Sequence, residues 1–271
     1  MIAVITSFYN GDSVRYAELA LESIRKQSIG FDNIRIYIHI DGNLDLEHEE
    51  YLNRNKLYFH KVLRSKENIG LAKGLNRLLP LIREDFIFRM DLDDVSYVDR
   101  FSCQLKYFED NKGLGLIGCN ADEINEFNDI EYTRIFPENH KEISKSLMKV
   151  CPILHPTFCF RRELIEMGIR YPDYHLTEDL GFIFKAYQKG VEFGNCQEIL
   201  FAWRKTAGFY KRRTIRRSIV EFSVYIKIIF EIKPISFSYI FPLSRLIFRF
   251  FPNKLVKVIY NSNLRNSLLR K

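Results

Sequence analysis

The chain has 271 residues, 46% hydrophobic and 28% charged, with 23 Phe, 15 Tyr, 13 Gly and 8 Pro, which excludes collagen-like, low-complexity and globally disordered classes. Five cysteines form an odd set without a C-x-x-C pair, so neither a disulfide framework nor a Cys-type zinc site is indicated, and a reducing compartment is expected. The net charge of +7 is unevenly spread: residues 1–203 carry 25 Lys+Arg against 32 Asp+Glu, and residues 204–271 carry 16 against 2. A mildly acidic body of net −7 therefore precedes a basic tail of net +14, and only the tail calls for an anionic partner.

The first residues, Met1 to Ser7, carry no basic leader pattern and read as a buried strand. Residues 2–7 and 34–40 are β-branched runs, and between them Leu19, Leu21, Ile24 and Arg25 recur at helical spacing. A strand over 57–63, a helix opened near Asn68-Ile69-Gly70 and a strand over 85–90 follow. Further on, the pattern predicts helices over 101–111, 141–150 and 178–189, with strands over 115–119 and 154–160. Alternating strands and helices imply a largely parallel sheet with right-handed crossovers and a ligand site beyond the carboxyl ends of the strands. Asp41 and Asp91–Asp94 fall at such ends.

After Trp203 the composition shifts to basic and aromatic helices. Residues 212–232 form an amphipathic helix, with Arg212, Arg213, Arg216, Arg217 and Lys227 on one side and Ile219, Val220, Val224 and Ile228 mostly on the other. Residues 235–243 and 246–251 are rich in Ile and Phe but interrupted by Pro242, Arg245 and Arg249, which suits lying in an interface better than crossing it. No run of 18 or more uncharged apolar residues occurs, which argues against a spanning helix.

The chemistry-bearing cluster is Arg89-Met90-Asp91-Leu92-Asp93-Asp94, three carboxylates in four residues directly after an apolar strand. In an extended chain Asp91 and Asp93 point the same way and can share one hard divalent cation; a solvated acidic turn is the competing reading. Glu178-Asp179, preceded by Thr177, reads either as an acid pair with a catalytic task or as an acidic first turn capped by Thr177.

The surrounding motifs resemble glycosyltransferase family two, the inverting enzymes of GT-A fold. Asp91-x-Asp93-Asp94 resembles their D-x-D signature. Val4-Ile5-Thr6-Ser7-Phe8-Tyr9-Asn10 is similar to the opening strand and P-T-Y-N turn, with Ser7-Phe8 in place of Pro-Thr. Ile40-Asp41-Gly42-Asn43-Leu44-Asp45 looks like D-D-G-S-T-D, and Asn68 to Asn76 follow N-x-G-x-A-x-A-x-N with Gly74 for the second Ala. Arg100 and Gln104 resemble an R-x-x-x-Q helix, His155-Pro156 with Phe160-Arg161-Arg162 an acceptor-side stretch, Glu178-Asp179 the E-D motif and Trp203-Arg204 a closing Y-R. The likeness spans residues 2–204, and no Q-x-x-R-W is present, so single-sugar transfer is expected rather than processive synthesis.

The resemblance implies a GT-A domain at 1–204 and a basic helical tail at 205–271. It implies transfer of one hexose or N-acetylhexosamine from a nucleotide sugar, most simply UDP-linked, to a lipid-linked cell-surface glycan. Asp179 would be the base, with Glu178 orienting it. Asp91 and Asp93 would hold Mn²⁺ or Mg²⁺, and Ser7, Phe8, Tyr9, Asp41, Asn68, Gly70, Asp91 and Leu92 would line the donor site. Asp94, His155, Arg161, Arg162, Arg89, Arg100 and Arg204 stand as acceptor-side or unassigned: Arg89 and Arg100 pair with the acids or touch diphosphate. His155 is a third metal ligand, an acceptor contact or a satisfied buried histidine. The tail would meet an anionic membrane surface at the cytoplasmic face of a bacterial inner membrane rather than nucleic acid, or would pack on the body or on a second copy in a homodimer. A noncatalytic nucleotide-sugar or nucleic-acid binding module on the same scaffold is the alternative of another class.

Overall fold

The computed structural model describes residues 1–174, 176–205 and 215–248. Its first half is a run of strand-helix units: β1 (Ile2–Phe8), α1 (Val14–Arg25), β2 (Ile34–Asp41), α2 (Leu46–Asn55), β3 (Phe59–Ser65), α3 (Leu71–Leu78) and β4 (Phe86–Arg89). The four strands are parallel in the order β3-β2-β1-β4, with Ile5 facing both Tyr37 and Arg89 across the ladder. β1 and β2 are buried almost throughout, as parallel strands covered on both faces must be. Their alternation feeds two cores. Ala3 and Ile5 join α3 on one side, while Ile2, Val4 and Phe8 join α1 and α2 on the other.

The second half turns the sheet into a mixed one. α4 (Arg100–Asp110) follows a two-residue strand β5 (Val95–Ser96); then come β6 (Leu114–Ile124), β7 (Ile130–Arg134), α5 (His140–Leu147), β8 (Cys159–Arg161), the short α6 (Glu163–Glu166), α7 (Glu178–Gln188) and β9 (Glu192–Arg204). β8 runs antiparallel between β4 and β6, β9 lies parallel to β6, β5 closes antiparallel on β9, and β7 pairs with β6.

Several expected boundaries move for physical reasons. The helix before β2 buries Val14, Ala17, Ala20, Leu21 and Ile24, and Arg25 instead points outward over the Tyr58 ring at 3.9 Å. The expected strand at 154–160 is mostly a 3-10 turn over His155–Thr157, because Pro156 cannot donate to a ladder, and only Cys159–Arg161 pair. β9, thirteen residues long, has no clean alternation to announce it, since its burial breaks at Gln197–Ile199 where the register with β6 shifts.

In the tail, α8 (Ile215–Ile232) and α9 (Ile240–Phe248) are helical, with Pro242 tolerated in the first turn of α9. Val224, Tyr225, Ile228 and Ile229 of α8 share a core with Leu180 and Ile183 of α7 and Leu147 of α5. At roughly 1.5–3 kcal/mol per fully buried large apolar side chain, that is a firm attachment to the body. The change in composition at Trp203 is thus no break in packing. Arg212, Arg213 and residues 249–271 lie outside the described residues.

Candidate active site

The carboxyl ends of β1, β2 and β4 meet in a set of loops stitched by short polar side chains. The Asp45 amide donates to Asn10 Oδ1 at 2.9 Å, and the Tyr9 amide donates to Asp12 Oδ2 at 3.0 Å. Asp41 ends β2 and accepts from the amides of Ile69 at 2.7 Å and Gly70 at 2.9 Å, one on each oxygen. It therefore docks the start of α3 onto β2, and a donor group reaching Asp41 must share its remaining lone pairs. Gly42 (φ 93°) permits this closure: a Cβ there would stand 3.1 Å from the Asn68 amide nitrogen. Gly74 is equally constrained. A Cβ on it would come within 2.4 Å of His39, whose ring bonds Ser65 at 2.8 Å, which accounts for the glycine standing where the motif has alanine.

Of the expected donor-site residues, Ser7 binds the His39 carbonyl at 3.3 Å, Tyr9 is exposed over Gly11, and Asn68 is exposed beside Gly42. Phe8 and Leu92 differ from expectation. Phe8 is fully buried against His48 and Tyr51, and Leu92 is 4% exposed in the same core, so only their main chains reach the strand ends.

After Arg89 the chain turns rather than staying extended, with the Asp94 amide 3.4 Å from the Asp91 carbonyl. Met90 and Leu92 go into the core, Asp91 and Asp93 remain half-buried, and the turn adds Asp94 to the group. Candidate ligand oxygens of all three acids lie within 4.8 Å of one another. Three hard oxygens at this separation suit Mg²⁺ or Mn²⁺. Among the described residues no histidine belongs to this group, so His155 is not gathered with it.

Three arginines support the cluster, each differently. Arg89 is 1% exposed and ion-pairs with Asp91, while its Nε and Nη1 are buried without a hydrogen-bond partner. Arg100 is wholly buried; it donates to the Arg89 carbonyl at 2.9 Å and to Gln104 at 3.0 Å, and Gln104 donates to the Thr157 carbonyl at 3.0 Å. Its guanidinium lies among the Phe88, Phe101 and Phe201 rings, and burial drives it down to about 10. The R-x-x-x-Q pair is therefore a prop behind β4, with no exposed surface left for a ligand. Arg204, the last residue of β9, gives its amide to Asp94 at 2.7 Å and its Nε to the Asp93 carbonyl at 2.7 Å, which braces the acidic turn. Burial, followed by the charges of Asp93 and Asp91, pushes Asp94 well above the usual carboxylate range. A bound cation would reverse that pressure.

The second acidic site opens α7. Leu176 just before it has a positive φ of 55°, a strained conformation for a bulky side chain, and the Thr177 hydroxyl makes no cap bond. Thr177 is therefore a cap in position only. Asp179 accepts from the Leu180 amide at 2.7 Å and from the Cys151 thiol at 3.7 Å, with the Arg217 and Glu221 charges of α8 nearby. Burial raises Asp179, and burial together with the Asp179 charge pushes Glu178 up to about 7, while Arg89 opposes that rise.

One buried ring links the two sites. The charges of Arg89, Glu178, Asp179 and Asp91 all bear on the Tyr171 hydroxyl, which has no hydrogen-bond partner. Tyr171 is fixed by Asn76, which exchanges bonds of 2.8 and 3.0 Å with its backbone, and by stacking on Phe182 at 4.4 Å. His155 lies edge-on to Tyr171 and Phe158, and burial, then Arg89, lowers its pKa well below the ordinary value; it is a neutral packed histidine. Sequence reasoning gave no role in the site to Cys151, Tyr171, Glu221 or Arg217, the last being placed only on the basic side of the tail helix. Only Asn76, the last position of the N-x-G-x-A-x-A-x-N motif, left a signal.

Arg161 and Arg162 do not join this site. Arg161 pairs with Phe86 at the start of β4, three residues or roughly 10 Å at 3.3 Å per residue before Arg89, with Asp91 beyond the other end of the strand. Arg161 donates to the Leu114 carbonyl at 2.9 Å over Phe86 and Phe108, and Arg162 pairs with Glu166 at 2.5 Å.

The chain is similar in sequence and fold to several known proteins. An uncharacterized glycosyltransferase of Haemophilus influenzae is 29% identical over 212 residues, 78% of each chain. The UDP-Gal:α-D-GlcNAc-diphosphoundecaprenol β-1,3-galactosyltransferase of Escherichia coli is 27% identical over 215 residues, 78% of this chain and 76% of that one. Among solved structures, S. aureus TarS with UDP-GlcNAc superposes with a TM-score of 0.62 at 16% identity, covering 92% of this chain and 81% of that one. The mannosyltransferase PcManGT of Pyrobaculum calidifontis, with GDP-Man and Mn²⁺, gives 0.62 at 17% identity, covering 92% and 68%. These likenesses establish the GT-A fold. The family pattern described as Glycosyl transferase family 2 matches residues 3–168, and the chain belongs to that family as a glycosyltransferase enzyme.

Proposed function

We propose that this enzyme transfers a single hexose or N-acetylhexosamine from a UDP-sugar to a lipid-linked saccharide, with inversion and in the presence of Mn²⁺ or Mg²⁺. The observation that carries the proposal is the tight acidic triplet at the end of β4, whose ligand oxygens lie within 4.8 Å of one another, together with a buried acid pair at the start of α7. The relative from Escherichia coli, by its name, uses UDP-Gal and a diphosphoundecaprenol-linked acceptor and forms a β-1,3 bond. An analogous lipid-linked acceptor here would put the reaction at the cytoplasmic face of a bacterial inner membrane.

In this reading Asp91 and Asp93 would hold the divalent ion, and Asp94, braced by Arg204, keeps the turn in shape. An ion held there would supply positive charge beside the diphosphate as negative charge develops on it. Asp179 accepts the proton of the acceptor hydroxyl as its oxygen bonds to the anomeric carbon and the carbon–phosphate-oxygen bond breaks. The electron pair of that bond leaves with UDP. Attack opposite the leaving group turns an α-linked donor into a β-linked product. The raised pKa of Asp179 makes it a stronger base than an ordinary aspartate, and Glu178 shapes the field around it.

The experiment is a donor screen. Purified protein with Mn²⁺ is offered UDP-Glc, UDP-Gal, UDP-GlcNAc, UDP-GalNAc and GDP- and dTDP-sugars, and UDP release is followed with and without a lipid-diphosphate saccharide. Turnover with one UDP-sugar, abolished by EDTA, is expected. UDP binding that ignores EDTA, without turnover on any donor, would instead favour the noncatalytic binding module.

A further inference from the structure

The tail helices present more apolar surface than the body can cover. α8 buries Ser218, Val224, Tyr225, Ile228 and Ile229. A second set, Ile215, Ile219, Phe222, Ile226 and Phe230, falls within an arc of about 80° at 100° per residue. Ile215, Ile219 and Phe230 of this stripe are exposed, by 59%, 56% and 66%. The apolar surface continues past the helix: Ile235 is 92% and Phe237 99% exposed, and Ile240, Leu243 and Ile247 fall on one exposed face of α9. Of the 21 large hydrophobics exposed among the described residues, 8 lie within residues 215–248. Such a concentration marks a contact surface rather than scattered surface residues.

This surface is held in place. Arg245 bonds the Lys149 carbonyl and reaches Glu221 at 3.2 Å, over the Tyr225 ring at 4.7 Å, which fixes α9 on α8 and on the body. The opposite side of α9 is therefore kept outward. Exposed Arg216 and Lys227 line one edge of the α8 stripe, exposed Lys233 follows it, and residues 249–271 add six Lys+Arg and no acid.

We propose that the outward faces of α8 and α9 form a docking surface for an anionic lipid bilayer, with Ile219, Phe230, Phe237 and Ile240 entering the interface and Arg216, Lys227 and Lys233 meeting phosphate headgroups. Charge selects the occupant. A second copy brought onto this surface about a two-fold axis would oppose the same cations to one another. Nucleic acid would satisfy the cations and leave the apolar arc in water. An interfacial helix needs both features side by side, an apolar face and a basic edge. The inner side of α8 carries Arg217 and Glu221 toward Asp179, so a docked molecule holds its second acidic site close to the membrane surface. The purpose of docking, access to a lipid-linked acceptor, rests on the function proposed above; the docking itself does not.

The test is flotation of the full-length protein with vesicles of phosphatidylcholine alone or mixed with phosphatidylglycerol. The unaltered protein is expected to float with the anionic vesicles. The Ile219→Ser/Phe230→Ser/Phe237→Ser/Ile240→Ser variant, altered only at exposed positions and checked by circular dichroism, should bind at least tenfold less. Arg216→Gln/Lys227→Gln/Lys233→Gln should bind several-fold less and lose much of its salt dependence. Equal binding by the unaltered protein and the serine variant, or no binding by either, would overturn the proposal. So would a dimer in sedimentation analysis that the serine variant breaks. Activity separates the two claims: absent vesicle binding with UDP release intact rejects docking alone, and vesicle binding without turnover on any donor rejects the transferase reading alone.

Discussion

Acids from two separate groups bear electrostatically on one buried tyrosine, Tyr171, and the surroundings of the two groups could hardly differ more. Asp91, Asp93 and Asp94 stand on a turn braced by Arg204, beside the buried charge of Arg89, with ligand oxygens converging to within 4.8 Å. Glu178 and Asp179 stand at a helix start where Asp179 accepts from an amide and a thiol, and burial raises both acids. The same side-chain chemistry thereby stands in two unlike environments. A convergent, braced cluster suits cation binding, and a desolvated pair suits proton transfer.

The largest effects should come from removing the first group's charge. Asp91→Asn or Asp93→Asn is expected to lower UDP release at least 10³-fold and to abolish Mn²⁺-dependent donor binding, read by titration calorimetry. If the variant bound Mn²⁺ and donor as the parent does, the division of labour would be wrong.

Arg89→Met sharpens the comparison, because Arg89 acts on both groups. Losing one partner of a buried ion pair typically costs about 3–5 kcal/mol. A clear drop in melting temperature is expected, together with weaker turnover, and Arg89→Lys should recover part of each.

The Glu178→Gln variant probes the second group through stability. The folded-state pKa of Glu178 is raised from 4.5 to about 7, so the native state binds the extra proton and loses stability as pH rises through that window. At ~1.4 kcal/mol per tenfold in proton affinity the upper bound is about 3 kcal/mol. The variant should therefore melt higher than the parent at pH 8 and alike at pH 4. The smallest effect belongs to the far end of the sheet: Arg161→Gln should change UDP release less than about twofold, since its partners are the Leu114 carbonyl and two phenylalanine rings.

The parallel half was the more legible part of the fold. β1, β2 and β4 are short apolar runs with an acid or a turn at their ends, and local pattern is enough to find them. β5, β7 and β9 were not found, because β7 is largely exposed and β9 is buried unevenly, so neither shows a clean period of two. The same limit applies at the site. The acidic triplet is contiguous and therefore visible. Tyr171 and Cys151 reach it only through long-range packing, and no spacing announces that Asn76 clamps a residue 95 positions away. Arg100, Arg161 and Arg204 show the converse: charged residues in motif positions can be props, identified only by the rings and carbonyls they touch.

The most direct measurement sets Asp179→Asn beside the parent, with UDP release and UDP affinity determined on the same protein in Mn²⁺. The account predicts a 10²–10⁴-fold fall in transfer to acceptor with UDP affinity unchanged within a few-fold. Transfer at the parental rate in that variant would remove Asp179 as the proton acceptor and contradict the division between the two acidic sites.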